Sequence, residues 1–127
     1  MSKQIKLQSI EIFRQASVKF KEENQEKTTI PAILGIKLGL LLREITPILE
    51  EFEKSKNDLI LKYGEKVVKE DKEFFTVKEE NMNVFFKEIS ELTKIEFQIN
   101  NTIDIKYFEN IDLPMWYSDA LVEFIND

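Results

Sequence analysis

Apolar residues separated alternately by four and three positions dominate residues 34–59, and no other pattern in the chain restricts its fold as strongly. This spacing is typical of a helix face packed against other helices. Around residues 34–42 the apolar positions extend nearly all round the helix, which predicts deep burial there. The face comprises Leu34, Leu38, Leu41, Ile45, Ile48, Phe52, Ser55 and Leu59.

Pro47 interrupts this pattern, because a proline inside a helix removes one hydrogen bond and clashes with the preceding turn at a cost of about 3 kcal/mol. A break with Thr46 as N-cap would place Pro47 at the favoured first helical position. We therefore expect a kinked long helix or two helical segments in near-continuous line. The Tyr63-Gly64 pair should end the second segment, with Gly64 as a left-handed cap.

The N-terminal region predicts a very short strand around Ile5 and a helix of about fifteen residues capped by Ser9. The helix would bury Ile10, Phe13, Ser17 and Phe20, and Ile12, Ala16 and Val18 would widen that face. The polar run 22–29 is expected to be a loop.

The middle of the chain predicts a β-hairpin followed by a helix. Residues 66–68 and 73–77 flank a charged turn, and Asn81 or Asn83 would cap a helix with apolar residues at helical spacing over 84–92. Residues 95–99 alternate as a strand does. The segment 100–110 is ambiguous, because Ile103 and Ile105 could pair back as a hairpin or Asp104 could open a short helical turn.

A last helix is expected near Pro114, with Asp112 as a possible cap. Its predicted buried face is Leu113, Trp116, Ala120, Leu121, Phe124 and Ile125. The resulting fold class is α+β and mainly α, a single domain over residues 1–127. Two or three further helices and a small antiparallel β element would pack on the kinked helix or helical pair.

Composition narrows the possible chemistry. The 127-residue chain has no Cys and no His, which excludes thiol chemistry and any site built from Cys or His ligands. Its three Gly cannot build a glycine-rich phosphate loop. No nucleophile motif surrounds any serine. We therefore predict no catalytic residue, no cofactor and no metal, and a non-enzymatic protein.

Hydropathy and charge narrow the possible partners. Residues 1–6 lack the apolar core of a secretory signal, and the most apolar stretch, 30–48, contains three charged residues, so we expect a cytoplasmic protein without a membrane span. The net charge of −6 lies entirely in residues 95–127, which hold seven acids and one base. This bias disfavours direct nucleic-acid binding and suits a protein partner with a basic surface.

Seven segments within about residues 30–110 form a recognisable combination. They are Ile36–Leu38, Leu42-Arg43, Pro47, Glu50–Glu53, Lys62–Glu65, Phe86–Leu92 and Glu96–Ile99. Together they resemble small uncharacterised bacteriophage and prophage proteins of Gram-positive hosts. The resemblance implies a phage origin and therefore a host-cell cytoplasmic or virion location, and it implies no catalytic residue.

Five residues are the candidates for partner binding. Phe74 and Phe75 are neighbours in a strand and should point to opposite faces, so one ring should be buried and the other exposed. Trp116 belongs to an aromatic cluster that either fills the core or forms a hot spot. Asp119 and Glu123 represent the acidic C-terminal region. We expect the hairpin and this region to form one surface.

The carboxylates at positions 44, 50, 51 and 53 are expected to be a solvated helix face with ion pairs rather than a metal or acid–base site.

The expected function is that of a protein-binding accessory factor that occupies a surface of a host or phage protein, for example an inhibitor of a host enzyme or defence complex. The alternative is a virion component or assembly factor that acts through self-association. The seam of residues 34–59 could be covered within one chain, which we favour, or by a second copy in a homodimer.

Overall fold

A computed structural model describes residues 2–24 and 30–127. Within them, four α-helices, three 3-10 helices and six short strands follow one another along the chain. In order they are β1 (Lys3–Lys6), α1 (Leu7–Asn24), α2 (Ala32–Tyr63), β2 (Gly64–Lys69), β3 (Lys72–Val77), a 3-10 helix (Glu79–Asn81), α3 (Met82–Thr93), β4 (Glu96–Ile99), β5 (Ile103–Asp104), a 3-10 helix (Ile105–Phe108), α4 (Met115–Leu121), a 3-10 helix (Val122–Phe124) and β6 (Ile125–Asn126). The predicted α+β, mainly α class is confirmed.

Helix α2 runs unbroken through Pro47, so the predicted break into two segments is wrong, and Thr46 is not an N-cap. Arg43 and Pro47 both lie on the exposed face, where water can reach the Arg43 carbonyl that loses its helical partner. The Thr46 hydroxyl donates a hydrogen bond of 2.7 Å to the carbonyl of Leu42. The buried seam continues on both sides of the proline, which favours one helix over two.

Gly64 is not the predicted left-handed cap. Its φ of −99° and ψ of 175° are extended, and it begins strand β2. The end of α2 is satisfied in another way, because the carbonyl of Tyr63 accepts hydrogen bonds from the backbone N–H of Lys78 (3.2 Å) and from Nδ2 of Asn81 (3.1 Å). No left-handed residue is needed to terminate the helix.

Strands β2 and β3 form the predicted hairpin, although its strands are longer and its turn is shorter than expected. The turn consists of Glu70 and Asp71, with φ values of 53° and 64°. Two central residues with positive φ define a type I′ turn, whose twist matches that of the flanking strands. The register pairs Val67 with Phe74 and Lys66 with Phe75.

The ends of the chain meet in two further strand pairs. Strand β1 pairs antiparallel with β4, as the weak strand pattern around Ile5 allowed, and β5 pairs parallel with β6. Asp104 opens the 3-10 helix that follows it, since its side chain accepts a 2.9 Å hydrogen bond from the N–H of Lys106. The helical-turn alternative for residues 100–110 is therefore the one observed.

The predicted helix starts were correct to within a few residues. Asn81, one of the two predicted caps of α3, is the N-cap residue of that helix, although its side chain makes no capping hydrogen bond. The other predicted N-caps were wrong. Ser9 lies inside α1, which begins at Leu7, and Ile12 and Val18, which were expected to widen its buried face, are exposed. A 2.8 Å hydrogen bond from the Leu7 N–H to the Ile95 carbonyl stabilises the start of α1. Helix α4 follows Pro114, whose carbonyl accepts the N–H groups of Tyr117 and Ser118, and Asp112 is not its cap. Of the predicted loop 22–29, residues 22–24 are helical and 25–29 lie outside the described residues.

One buried apolar cluster joins the two ends of the chain to the N-terminal half of α2. Strands β1, β4 and β5, helices α1 and α4 and the last 3-10 helix supply the rest of it. Its members are Ile5, Ile10, Phe13, Phe20, Leu34, Leu38, Leu41, Ile45, Ile99, Ile103, Tyr117, Leu121 and Phe124. The first four residues of the seam are thus covered within the chain.

Candidate interaction surface

Both aromatic residues of the hairpin are exposed. Phe74 retains 44% and Phe75 retains 48% of its accessible surface, so the prediction that one ring is buried is wrong. The two side chains do alternate between the faces of the ribbon, as strand geometry requires. None of the described residues covers either face closely enough to bury a ring.

Each face of the hairpin has its own composition. Directly paired residues of an antiparallel ladder point to the same side. Phe75 therefore shares its face with Val68 and with the ion pair between Lys66 and Glu73 (3.0 Å). Phe74 shares the opposite face with Val67. A partner could thus meet an aromatic ring on either side of the ribbon.

Trp116 lies at the rim of the buried cluster and is partly exposed. Its ring centroid is 6.4 Å from that of Phe20 and 5.9 Å from that of Tyr117. The ammonium of Lys19 lies 4.5 Å from the centroid of Trp116, close enough for a cation–π contact. Trp116 therefore both fills the edge of the core and presents part of its ring to solvent.

Asp119 and Glu123 are exposed on the C-terminal elements, but the structure does not bring them to the hairpin. Helix α4 packs on α1, whereas the hairpin packs at the C-terminal end of α2. The part of α2 in the main core ends at Ile45, which is 18 residues before Tyr63. At 1.5 Å per residue, this separation is about 27 Å. The expectation of one combined surface is therefore wrong.

Tyr117 belongs to the predicted aromatic cluster around Trp116 and is a core residue, although the predicted buried face of the last helix did not include it. Its ring stacks on Phe20 at 4.6 Å between centroids, and its hydroxyl lies 3.2 Å from the hydroxyl of Ser17. Burial raises the pKa of Tyr117, and the hydrogen bond with Ser17 partly offsets that rise. The spacing of Tyr117, Leu121 and Phe124, four and then three residues, was the signal that could have identified it.

Two acidic residues of α2, Glu44 and Glu53, have structural partners. The carboxylate of Glu44 accepts 2.8 Å hydrogen bonds from the backbone N–H groups of Asn100 and Asn101 and from Nδ2 of Asn101. Glu53 forms an i,i+3 ion pair of 3.9 Å with Lys56. Glu44 therefore holds the loop between β4 and β5, a contact that no local sequence pattern indicates.

The fold and its exposed positions define an α+β, mainly helical protein whose hairpin exposes an aromatic ring on each face. Comparison with protein-family models, with curated proteins and with solved structures finds no match for this chain. In residues 2–24 and 30–127, no helix has the combined length and apolar character needed to cross a membrane.

Proposed function

We propose that this protein is a non-enzymatic protein-binding factor that acts by occupying a surface of another protein. The observation that supports it is the exposure of Phe74 and Phe75 on opposite faces of one hairpin. A two-stranded hairpin with no covering layer is only marginally stable by itself in water. Aromatic rings that become buried on binding supply much of the energy of protein interfaces.

The proposal includes a phage origin and a host or phage protein as partner, on the strength of the resemblance described above. An inhibitor of a host enzyme or defence complex, acting in the host cytoplasm, is its most concrete form. The absence of Cys and His from the sequence supports a binding role over a catalytic one.

The test is site-specific photo-crosslinking in host cells, with p-benzoylphenylalanine at position 74 or 75. The control carries the same group at Ile12, which is exposed on α1. We expect one defined protein to crosslink from the hairpin and not from position 12. A host enzyme as product supports the inhibitor form, whereas capsid or tail proteins support a virion role. Equal crosslinking from all positions would contradict a hairpin-centred site.

Alanine variants of the two rings test the same idea with purified partner. Because both rings are similarly exposed, Phe74→Ala and Phe75→Ala should each change the free energy of unfolding by less than about 1 kcal/mol. At least one should weaken binding about tenfold or more, as loss of an interface anchor does. A large loss of stability without a loss of affinity would show that the rings stabilise the fold and do not bind the partner.

The acidic C-terminal region would affect the rate of association with a partner rather than the rate of dissociation. Charge reversal by Asp119→Lys and Glu123→Lys should slow association with a basic partner, more at low salt than at high salt. A stopped-flow series at several salt concentrations measures this effect. If these substitutions left the association rate unchanged, the C-terminal acids would contribute to solubility and not to binding.

Self-association is a second candidate because of one exposed stripe on α2. Ile33, Ile36 and Leu40 follow a three-four spacing and are exposed, and an added Cβ at Gly35 or Gly39 would meet no atom within 4 Å. An exposed apolar stripe can pack on a copy of itself. Light scattering at two protein concentrations, with Ile36→Glu as the disrupting variant, decides this. A monomer mass at both concentrations would remove the candidate.

A further inference from the structure

An apolar groove lies between α2, α3, strand β4 and the first residue of α1, and neither the hairpin rings nor the C-terminal acids line it. Its deeper part encloses about 360 Å³. It continues toward the end of α2 through a shallower part, since both parts share Ser55, Leu92 and Ile95. The apolar lining residues are Leu7, Pro47, Ile48, Phe52, Leu59, Leu92, Ile95 and Phe97.

The charged residues that line the groove are all acidic. They are Glu51, Asp58, Glu88 and Glu91, and none of the lining residues is Lys or Arg. Oε2 of Glu88 is buried and has no hydrogen-bond partner among the described residues. Acidic side chains with no basic residue beside them in the lining favour a cationic ligand over an anionic one.

Two lysines lie near this rim but do not line the groove. The ammonium of Lys56 lies 5.5 Å from the ring centroid of Phe52 and pairs with Glu53 outside the groove. Lys62 lies over the ring of Tyr63 at 5.0 Å. Tyr63 first, and then the charge of Glu88, raise the pKa of Lys62, which remains fully solvated. The groove therefore keeps an apolar floor under an acidic rim.

We propose that this groove binds a basic amphipathic helix of a partner protein. The proposal rests on the protein-binding function above and names the chemistry of one partner segment. Two helices form the walls of most of the groove, and a third helix can pack into such a channel through apolar residues at i, i+3 and i+7. From Pro47 to Leu59 the groove follows α2 for 12 residues, or about 18 Å, which matches about three turns of the bound helix.

The carboxylates would select the charge of that helix. Lys or Arg residues flanking its apolar face would reach Glu51 and Asp58 on one wall and Glu88 and Glu91 on the other. Such charge-assisted hydrogen bonds are about twice as strong as neutral ones. An acidic helix with the same apolar face would bring like charges together and be rejected.

The experiment uses two synthetic helical peptides of about four turns with the same leucines at i, i+3, i+7 and i+10. One carries Lys and Arg at the flanking positions, and the other carries Glu. Titration calorimetry of the whole protein in 150 mM salt should show the basic peptide binding at least about tenfold more tightly than the acidic one. Equal affinity, or no binding of either peptide, would overturn the proposal.

Matched variants locate the binding. The pair Glu88→Gln and Glu91→Gln should weaken the basic peptide about tenfold, whereas the pair Asp119→Asn and Glu123→Asn, with the same change in charge, should weaken it less than about twofold. Ser55→Trp should block the groove, and Ser90→Trp, on α3 but outside the lining, should not. Circular dichroism confirms that each variant folds. Equal effects of the two charge pairs would show attraction to net charge alone and overturn the proposal.

The possible outcomes distinguish failure of the groove proposal from failure of the protein-binding function on which it rests. If the hairpin still crosslinks to a partner while the basic peptide fails to bind, the groove proposal is wrong and the protein-binding function stands. If the basic peptide binds and no partner crosslinks to the hairpin, the groove is supported and the hairpin assignment is wrong. A constant dimer mass in light scattering that Ser55→Trp abolishes would identify a second copy as the occupant and overturn the proposal.

Discussion

Gly64 occupies a position that excludes a side chain for a reason other than backbone conformation. A Cβ built there would lie 2.3 Å from the carbonyl oxygen of Ile60 and 2.9 Å from that of Thr76. Both are backbone atoms, so neither can move without shifting α2 or β3. The glycine therefore permits the direct passage from helix α2 into strand β2.

We predict that Gly64→Ala lowers the free energy of unfolding by about 2 kcal/mol, as overpacking does. The control is Gly39→Ala, where an added Cβ meets nothing within 4 Å. Because alanine is the better helix former, Gly39→Ala should raise stability by about 0.5–1 kcal/mol. Urea unfolding of both variants measures the contrast, and a neutral Gly64→Ala would show that the hairpin can shift to relieve the contact.

Burial of Tyr117 makes the stability of the folded protein depend on pH. Its ordinary pKa is 10.0 and burial raises the pKa in the folded state. The unfolded chain therefore loses this proton first, and the stability that the neutral hydroxyl contributes is lost as pH rises from about 10 through the folded pKa. Tyr117→Phe should cost about 1 kcal/mol at pH 7, because it removes the partner of Ser17, and should lose less stability than the wild type above pH 10.

Ser17→Ala is the control for this pH effect, since it removes the hydrogen bond and keeps the buried phenol. It should retain the alkaline loss of stability. If Tyr117→Phe and the wild type lost stability in parallel above pH 10, the assignment to Tyr117 would be wrong.

At the level of elements, α2 continues through its proline because the seam residues before and after the proline are buried. Ile45 is fully buried and Phe52 is nearly so, while Pro47 lies on the exposed face between them. Burial of the seam offsets the loss of one backbone hydrogen bond. The proline is thus a local destabilisation inside an element that tertiary contacts keep continuous.

We predict that Pro47→Ala stabilises the protein by about 1–3 kcal/mol, because it restores the hydrogen bond to the Arg43 carbonyl and removes the ring clash. The denaturant midpoint should rise without a change in the m-value. Glu50→Ala, an exposed substitution in the same helix, should change stability by less than about 0.5 kcal/mol. A destabilised Pro47→Ala would show that the proline ring contributes to packing in the groove.

At the scale of the whole molecule, the buried core is unevenly distributed. The large cluster joins both ends of the chain to the N-terminal half of α2 and takes no residue from the hairpin or from α3. Phe52 and Phe85 are buried outside it. The hairpin and the C-terminal half of α2 are therefore stabilised by fewer buried contacts than the region around Phe13.

This distribution predicts a gradient of local stability that hydrogen exchange can measure. Amides of Leu38–Ile45 should exchange only through global unfolding, whereas those of β2 and β3 should exchange through local opening at much lower free energy. Partner binding to the hairpin should slow exchange there first. Equal protection of both regions in the free protein would contradict the gradient.

Local patterns in the sequence identified the long helix, the hairpin and the later helices, because the periodicity of apolar residues reports which face of an element avoids water. The seam from Leu34 to Leu59 repeats over enough turns that this inference is strong. The same patterns indicated both strands of the hairpin. Absence of Cys and His limited the available chemistry without reference to any fold.

Tertiary structure decided what covers each apolar face, because that depends on residues far apart in sequence. The contact of Ser17 with Tyr117 spans 100 positions, and the contact of Glu44 with Asn101 spans 57. The same dependence explains why both hairpin rings are exposed and why α2 continues through Pro47. It also explains the groove, whose apolar floor and acidic rim come from α2, α3, β4 and the start of α1, which meet only in the folded chain.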